Sequence, residues 1–227
     1  MGGTAGRLWI MSLEVETRDA ASLTDGQLEE LAGMGGAFGI ELIARAKAEW
    51  VLVTAALLDG KVHGFTFSTL ERIGGTPCVL LGMLSVKRTA KRDSVLKGLM
   101  GEAYHRALMA FPDEDVVVGS RFVAVDGLEA FKALTSVIPR PDHRAVGEER
   151  AWGKRLARRF GVDAHYDEQS FIVKSHGQSG FLDHESLKES PKDLGEQFKG
   201  VARSKGGVLI VHGWAMAESL AKLGRLK

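Results

Sequence analysis

The stretch that most constrains this chain is Cys78-Val79-Leu80-Leu81-Gly82-Met83-Leu84, an unbroken apolar run entered from Gly74, Gly75 and Pro77. So short a run, bounded by turn residues, reads as a strand buried on both faces, and such a strand obliges the chain to cover each side of a sheet. It leads straight into Ser85-Val86-Lys87-Arg88-Thr89-Ala90-Lys91-Arg92-Asp93-Ser94. From there Val95, Leu99, Met100 and Tyr104 recur at helical spacing, with the helix continuing through Leu108. The loop between strand and helix carries Lys87, Arg88, Lys91 and Arg92 against the single acid Asp93. The first N–H groups of a helix lack intrahelical partners and sit at the positive end of its dipole, so a basic loop opening a helix suits a phosphate. A solvated connection is the plainer alternative for the same residues.

The rest of the chain can be set around that unit. Leu13 and Val15 alternate with Glu14 and Glu16 as a first strand, and Ser22–Asp25 offers caps for a short helix through Leu23, Leu28, Leu31 and Met34. Gly33, Gly35 and Gly36 break it before a second helix over Ile40–Trp50. Val51–Leu58 and Val62–Leu70 flank Asp59-Gly60, a hairpin signal. Simple alternation puts His63, Phe65, Phe67 and Thr69 on one face of the second strand, opposite Val62, Gly64, Thr66 and Ser68. Beyond the basic-loop helix, Val116–Gly119 is a short buried strand, entered from a helix and so parallel to Cys78–Val86. Gly127–Leu134 reads as a short helix. Asp142 is placed to cap a further helix from His143 to Phe160, with Val146, Trp152, Leu156 and Phe160 as its apolar stripe. Its other face carries Arg144, Arg150, Lys154, Arg155, Arg158 and Arg159. Ser170–Lys174 and Val208–His212 are strands separated by the polar segment His176–Gly206, and Ala215–Leu226 is a last helix presenting Met216, Leu220 and Leu223 to a partner, a second copy of the chain among the candidates.

Composition narrows the classes. A chain of 227 residues, 44% apolar and 26% charged, can bury a sizeable core, and a formal charge of +1 makes any attraction for anions local. Cys78 is the only cysteine, which excludes an intrachain disulfide framework and cysteine-rich zinc sites. The seven histidines show no metal-ligand spacing, and no metal is expected. No run reaches membrane-spanning length and the start lacks a secretory apolar region, so a reduced, cytoplasmic protein is expected, away from membranes.

The Leu84–Met100 stretch resembles the cofactor motif of the GNAT acyltransferase superfamily, in which a strand ending in Val, a loop led by Arg or Gln with two spaced glycines, and a helix hold the coenzyme A pyrophosphate. Aligned on Val86, the Arg/Gln position falls on Lys91, and the two glycines fall on Ser94 and Leu96. Lys97-Gly98-Leu99-Met100 follows a variant of the family in which Leu replaces the second glycine. The order of elements from the hairpin to Val116 matches as well. The resemblance implies an α/β (α+β) fold: a mixed, mostly antiparallel central sheet with helices on both faces, a core over 1–138, and a C-terminal extension over 139–227 holding the closing strand pair. It implies acetyl-CoA or another acyl-CoA as co-substrate, bound by Leu84, Ser85, Val86, Lys91, Arg92, Asp93, Ser94, Val95 and Leu96 in a splay between the two parallel strands. The reaction implied is direct transfer to the nitrogen or oxygen of an unknown acceptor.

Such chemistry needs a base for the acceptor and an acid for the leaving thiolate. His63 and then Glu71 are the candidate bases; Phe131 stands where the family places its thiolate-protonating tyrosine, and Tyr104 is a substitute by proximity in sequence. Phe cannot donate a proton. Two other readings stay open: a GNAT-like domain without catalysis that binds a ligand or protein, and a nucleic-acid-associated protein using the Arg144–Arg159 helix with the Lys87–Lys97 loop.

Overall fold

The computed structural model describes residues 12–36, 38–174, 182–183 and 195–225. The expected segment His176–Gly206 therefore lies largely outside the described residues, as do Met1–Met11.

The strands are β1 (Leu13–Asp19), β2 (Leu52–Leu58), β3 (Lys61–Ile73), β4 (Thr76–Val86), β5 (Val116–Phe122), β6 (Thr135–Ile138), β7 (Tyr166–Asp167), β8 (Ile172–Val173), β9 (Leu182–Asp183) and β10 (Val208–Ala215). The helices are α1 (Asp25–Ala32), α2 (Ile40–Glu49), α3 (Arg92–Ala110), α4 (Gly147–Arg159) and α5 (Ala217–Leu223). The sheet runs β1-β2-β3-β4-β5-β10-β8-β7, with β6 also on β10 and β9 also on β4. All neighbours are antiparallel except β4–β5 and β4–β9. The mixed, mostly antiparallel sheet with a central buried strand is thus present, and β10, which contains the expected strand Val208–His212, closes it between β5 and β8.

β4 is buried almost throughout because both faces of the sheet are covered. On one side α3, α5 and the 3-10 turn Val125–Phe131 pack through Val95, Leu99, Tyr104, Phe131 and Leu220. On the other, α1, α2 and α4 pack through Leu28, Ile43, Trp50, Trp152 and Leu156. Local chemistry starts α1: Thr24 Oγ1 accepts the Gln27 N–H and Gln27 Oε1 accepts the Thr24 N–H, a reciprocal cap.

Several expectations are corrected. A β-bulge in β3 leaves His63 unopposed, since Ala56 faces Gly64 while Leu57 faces Val62. The extra residue reverses the alternation, so Val62 joins Phe65 and Phe67 on the α1–α2 side while Gly64 meets Val95 and Leu99 of α3. Residues 127–134 are not an α-helix: a 3-10 turn ends at Phe131, and Thr135–Ile138 forms β6 on β10. α4 starts at Gly147 rather than His143, because the Glu149 carboxylate turns back onto the Val146 N–H at 2.7 Å. Val146 then lies outside the helix, 58% exposed, and not in its apolar stripe. Leu220 and Leu223 of α5 are buried in the α3-side core, and Gly224 sits against the His105 backbone, so this helix is covered within the chain.

Candidate functional site

The site is built by an irregularity in β4. Along β3, Thr66 pairs with Leu84 and Ser68 with Leu81, so Phe67 alone faces Gly82 and Met83. The core records the slip: Val79 and Leu81 face α3 before it, Leu84 and Val86 after it. Gly82 fits there because the Trp50 indole packs directly against it, leaving no room for a Cβ. A bulge bends and further twists its strand. β4 accordingly pairs with β5 only at Cys78–Val117, Val79–Val118 and Leu80–Gly119. At the point of divergence the buried Ser120 hydroxyl donates to the Leu81 carbonyl at 2.9 Å. β5 goes on with β10, through Arg121–Ile210 and Phe122–Leu209, and leaves β4 to its own course.

The mouth of this gap lies under the basic loop. The Lys87 N–H donates to the His63 carbonyl at 2.8 Å, and Thr89 shapes the turn by accepting the Lys91 and Arg92 N–H groups through its hydroxyl and carbonyl. α3 then begins with no side-chain cap; its Arg92 N–H is taken by Thr89, and the N–H groups of Asp93 and Ser94 follow at the positive end of the dipole. Lys87, Arg88, Lys91 and Ser94 are exposed, and Arg92 and Asp93 are half-buried. Val95 and Leu96 are core residues, the Leu96 side chain packed inward where the sequence alignment expected a loop glycine. Between α3 and the Val125–Phe131 turn runs a groove of about 350 Å³ with Leu96, Met100, Ala130 and Ala133 as its apolar wall, and Lys97, Lys132, Asp93 and Glu129 along it. Lys132, Glu129 and Ser120 are members of this region that no motif in the sequence marks. Tyr104 closes its inner end, donating to the Ala130 carbonyl at 3.4 Å, with its phenol pushed well up by burial. Phe131 is buried edge-to-face against Phe122 at 5.0 Å.

The proposed bases separate. His63 lies one strand from the end of β4, opposite the loop; burial and then the Lys87 charge lower its pKa. Glu71 lies opposite Cys78 at the far end of β4, in a bidentate pair with Arg159 at 2.6 and 2.9 Å. Seven residues of strand, at roughly 3.3 Å each, hold it away from Val86. Cys78 is buried and its thiol is pushed up to about 12 by burial, so it is an inert core residue. Three cations of α4 are engaged within the chain: Arg159 with Glu71, Lys154 with Glu168 at 3.8 Å, and Arg155 over the Trp152 ring at 4.9 Å. Among the described residues no cluster of His, Cys, Asp or Glu suits a metal, and no helix is long and apolar enough to cross a membrane.

No family model and no curated protein matches this sequence. Solved structures with a similar chain path include acetyltransferases. One is a Bacillus subtilis acetyltransferase in complex with CoA, 12% identical over 90% of this chain and 100% of that one, with a TM-score of 0.44. Another, the IAA acetyltransferase from Bacillus cereus, is 16% identical over 58% of this chain and 83% of that one, at 0.40. A GNAT family acetyltransferase from Brucella melitensis in complex with acetyl-CoA is 18% identical over 47% of this chain and 75% of that one, at 0.36. At identities this low the functional reading rests on the geometry of this chain.

Proposed function

We propose that the protein is an acyl-CoA-dependent acyltransferase that passes an acetyl or other acyl group directly to an amine or hydroxyl acceptor. The observation that carries this reading is the parting of β4 from β5 at the Gly82–Met83 bulge, beside the uncapped start of α3. An acyl-CoA has three chemically distinct parts, and each suits one feature. Its pyrophosphate suits the first N–H groups of α3 with Lys91 and Arg92 beside them. Its arm carries two amide groups, which suit a strand edge, over a groove walled by Leu96, Met100 and Ala130. Its thioester then reaches Leu84–Val86, where backbone N–H groups polarise the carbonyl.

In the transfer, the acceptor lone pair attacks the thioester carbon, the carbon–sulfur bond breaks, and the thiolate leaves. The acceptor's proton goes to His63, whose lowered pKa keeps the imidazole neutral and able to accept it near pH 7. Tyr104, whose hydroxyl donates to the Ala130 carbonyl at the inner end of the groove, is the candidate donor to the thiolate, although burial makes its phenol a weaker acid. Glu71, engaged with Arg159 at the far end of β4, has no part in this scheme.

Titration calorimetry with coenzyme A tests the reading. Lys91→Ala with Arg92→Ala is expected to weaken binding by about tenfold or more, since charge-assisted hydrogen bonds contribute about 1.5–3 kcal/mol each. Tight binding unchanged by this pair would put the pyrophosphate elsewhere. One observation favours a second reading, a binding domain without turnover: the edge of β4 already has a backbone partner in β9. Coenzyme A binding without transfer to any amine or hydroxyl acceptor would select it.

A further inference from the structure

We propose that β9 is an intrachain competitor for the acyl-CoA site, so that the coenzyme's arm binds only when Leu182–Asp183 leaves the edge of β4. The inference rests on the acyl-CoA reading above and adds its regulation. β9 pairs with β4 in parallel, Leu84 with Leu182 and Ser85 with Asp183. These are the residues of β4 beyond the bulge, where β5 has departed and the strand edge would otherwise be open. β9 thus stands where the ligand's thioester and the adjoining end of its arm would, and runs in the direction β5 runs. The two occupants exclude each other, because a strand residue offers one N–H and one C=O, and its other edge is taken by β3 at Phe65–Ser85 and Thr66–Leu84.

The length of chain between β8 and β10 supports a dedicated segment. β8 and β10 are antiparallel neighbours, with Val173 opposite Val208, and strands so placed can be joined by a turn of two to five residues. Here 34 residues stand between Val173 and Val208 in sequence, and Leu182–Asp183 among them pair with β4. Closing the sheet does not require that pairing. A pairing of only two residues is also weak enough to be displaced, because each hydrogen bond adds little net stability. Affinity for the coenzyme is then reduced by the fraction of molecules in which the edge is vacant.

The test uses the full chain in two independent ways. Leu182→Pro and Asp183→Pro each remove an N–H and disfavour the pairing; both are expected to bind coenzyme A at least about tenfold more tightly than the unaltered protein in calorimetry. In the unaltered protein, adding coenzyme A is expected to raise hydrogen exchange in the peptide carrying Leu182–Asp183 while Leu84 and Ser85 stay protected. Coenzyme A binding with equal affinity in all three proteins, and no change in exchange at residues 182–183, would overturn the competitor. Absence of binding in all three would overturn the acyl-CoA reading, and the competitor with it.

Discussion

Two cationic stretches of this chain look alike in sequence and differ in what the fold does with their charge. The α4 helix carries Arg150, Lys154, Arg155, Arg158 and Arg159, and its cations are largely spent internally: on Glu71, on Glu168 and on the face of Trp152. Its apolar side inserts Trp152 and Leu156 into the core, with Leu156 packed on Gly119 so closely that a Cβ there would stand 2.8 Å from a Leu156 methyl. The loop before α3 has fewer charges but leaves Lys87 and Lys91 exposed beside a helix start without a side-chain cap and a strand edge that β5 has left and β9 holds through two residues. In the proposed acyl-CoA site, charge count is therefore not what matters. Charge left facing outward beside a helix start is.

If α4 is structural and the loop is the ligand contact, perturbing each should move a different observable. The largest effect is expected for Trp152→Ala. Truncating a buried aromatic costs about 3–5 kcal/mol, so thermal or urea unfolding should shift strongly while coenzyme A affinity, measured on the fraction that remains folded, stays put. A change in affinity without a change in stability would reverse the assignment.

Acid is expected to act on the α4 side next. His212, on β10, is buried, donates through Nε2 to the Glu149 carbonyl of α4 at 3.2 Å, and has its pKa lowered to about 4, chiefly by burial. The unfolded chain binds this proton near pH 6.5 and the folded protein only near 4. Stability is therefore full above 6.5 and falls by about 3 kcal/mol as the pH drops to 4. The Glu149 carboxyl, opposed by burial but held down by the Val146 N–H and His143, adds its own loss only below its ordinary 4.5. His212→Gln should flatten the melting temperature between pH 6.5 and 4.5; an unchanged slope would assign the acid sensitivity to other groups.

On the loop side, His63→Gln is expected to lower kcat by about 10²-fold, the low end for a lost base, with coenzyme A affinity nearly intact. The acidic limb of the pH–rate profile, expected below 6.5, should vanish. Full turnover in this variant would exclude His63 as the base. The smallest effect is expected for Lys154→Ala. Both partners of the Lys154–Glu168 pair are more than half exposed, so the loss should stay under about 0.5 kcal/mol, with coenzyme A binding unchanged. Weakened binding in that variant would show that α4 does contribute to the anion's field.

The legible parts of this protein were those whose signal is local. The apolar run of β4, the Asp59-Gly60 hairpin and the helical spacing after Val95 each state their structure in a few residues. The errors fell where a distant partner decided the outcome. Val146 fits a helical stripe by spacing, yet the Glu149 carboxylate caps its N–H and the helix starts one residue later. Met216, Leu220 and Leu223 look like an unpartnered face, and two of them are buried because α5 returns to α3. Glu71 is as near in sequence to the basic loop as any acid before it, but a strand runs straight, and its far end belongs to Arg159. Thr135–Ile138, polar and half exposed, becomes β6 only because β10 arrives beside it.

By itself the sequence determined that a strand at 78–86 would be buried on both faces and that a basic turn would deliver it into a helix, because side-chain burial and helix initiation depend on neighbours within a few residues. Only the tertiary structure decided where β4 bends. Gly82 permits the bulge, but Trp50, more than thirty positions earlier, fills the space above it, and Phe67 across the ladder fixes which two residues it must face. That register parts β4 from β5, and a segment about a hundred residues further on takes the exposed edge. Register and long-range packing are cooperative properties of paired elements, so no single stretch of the chain carries them.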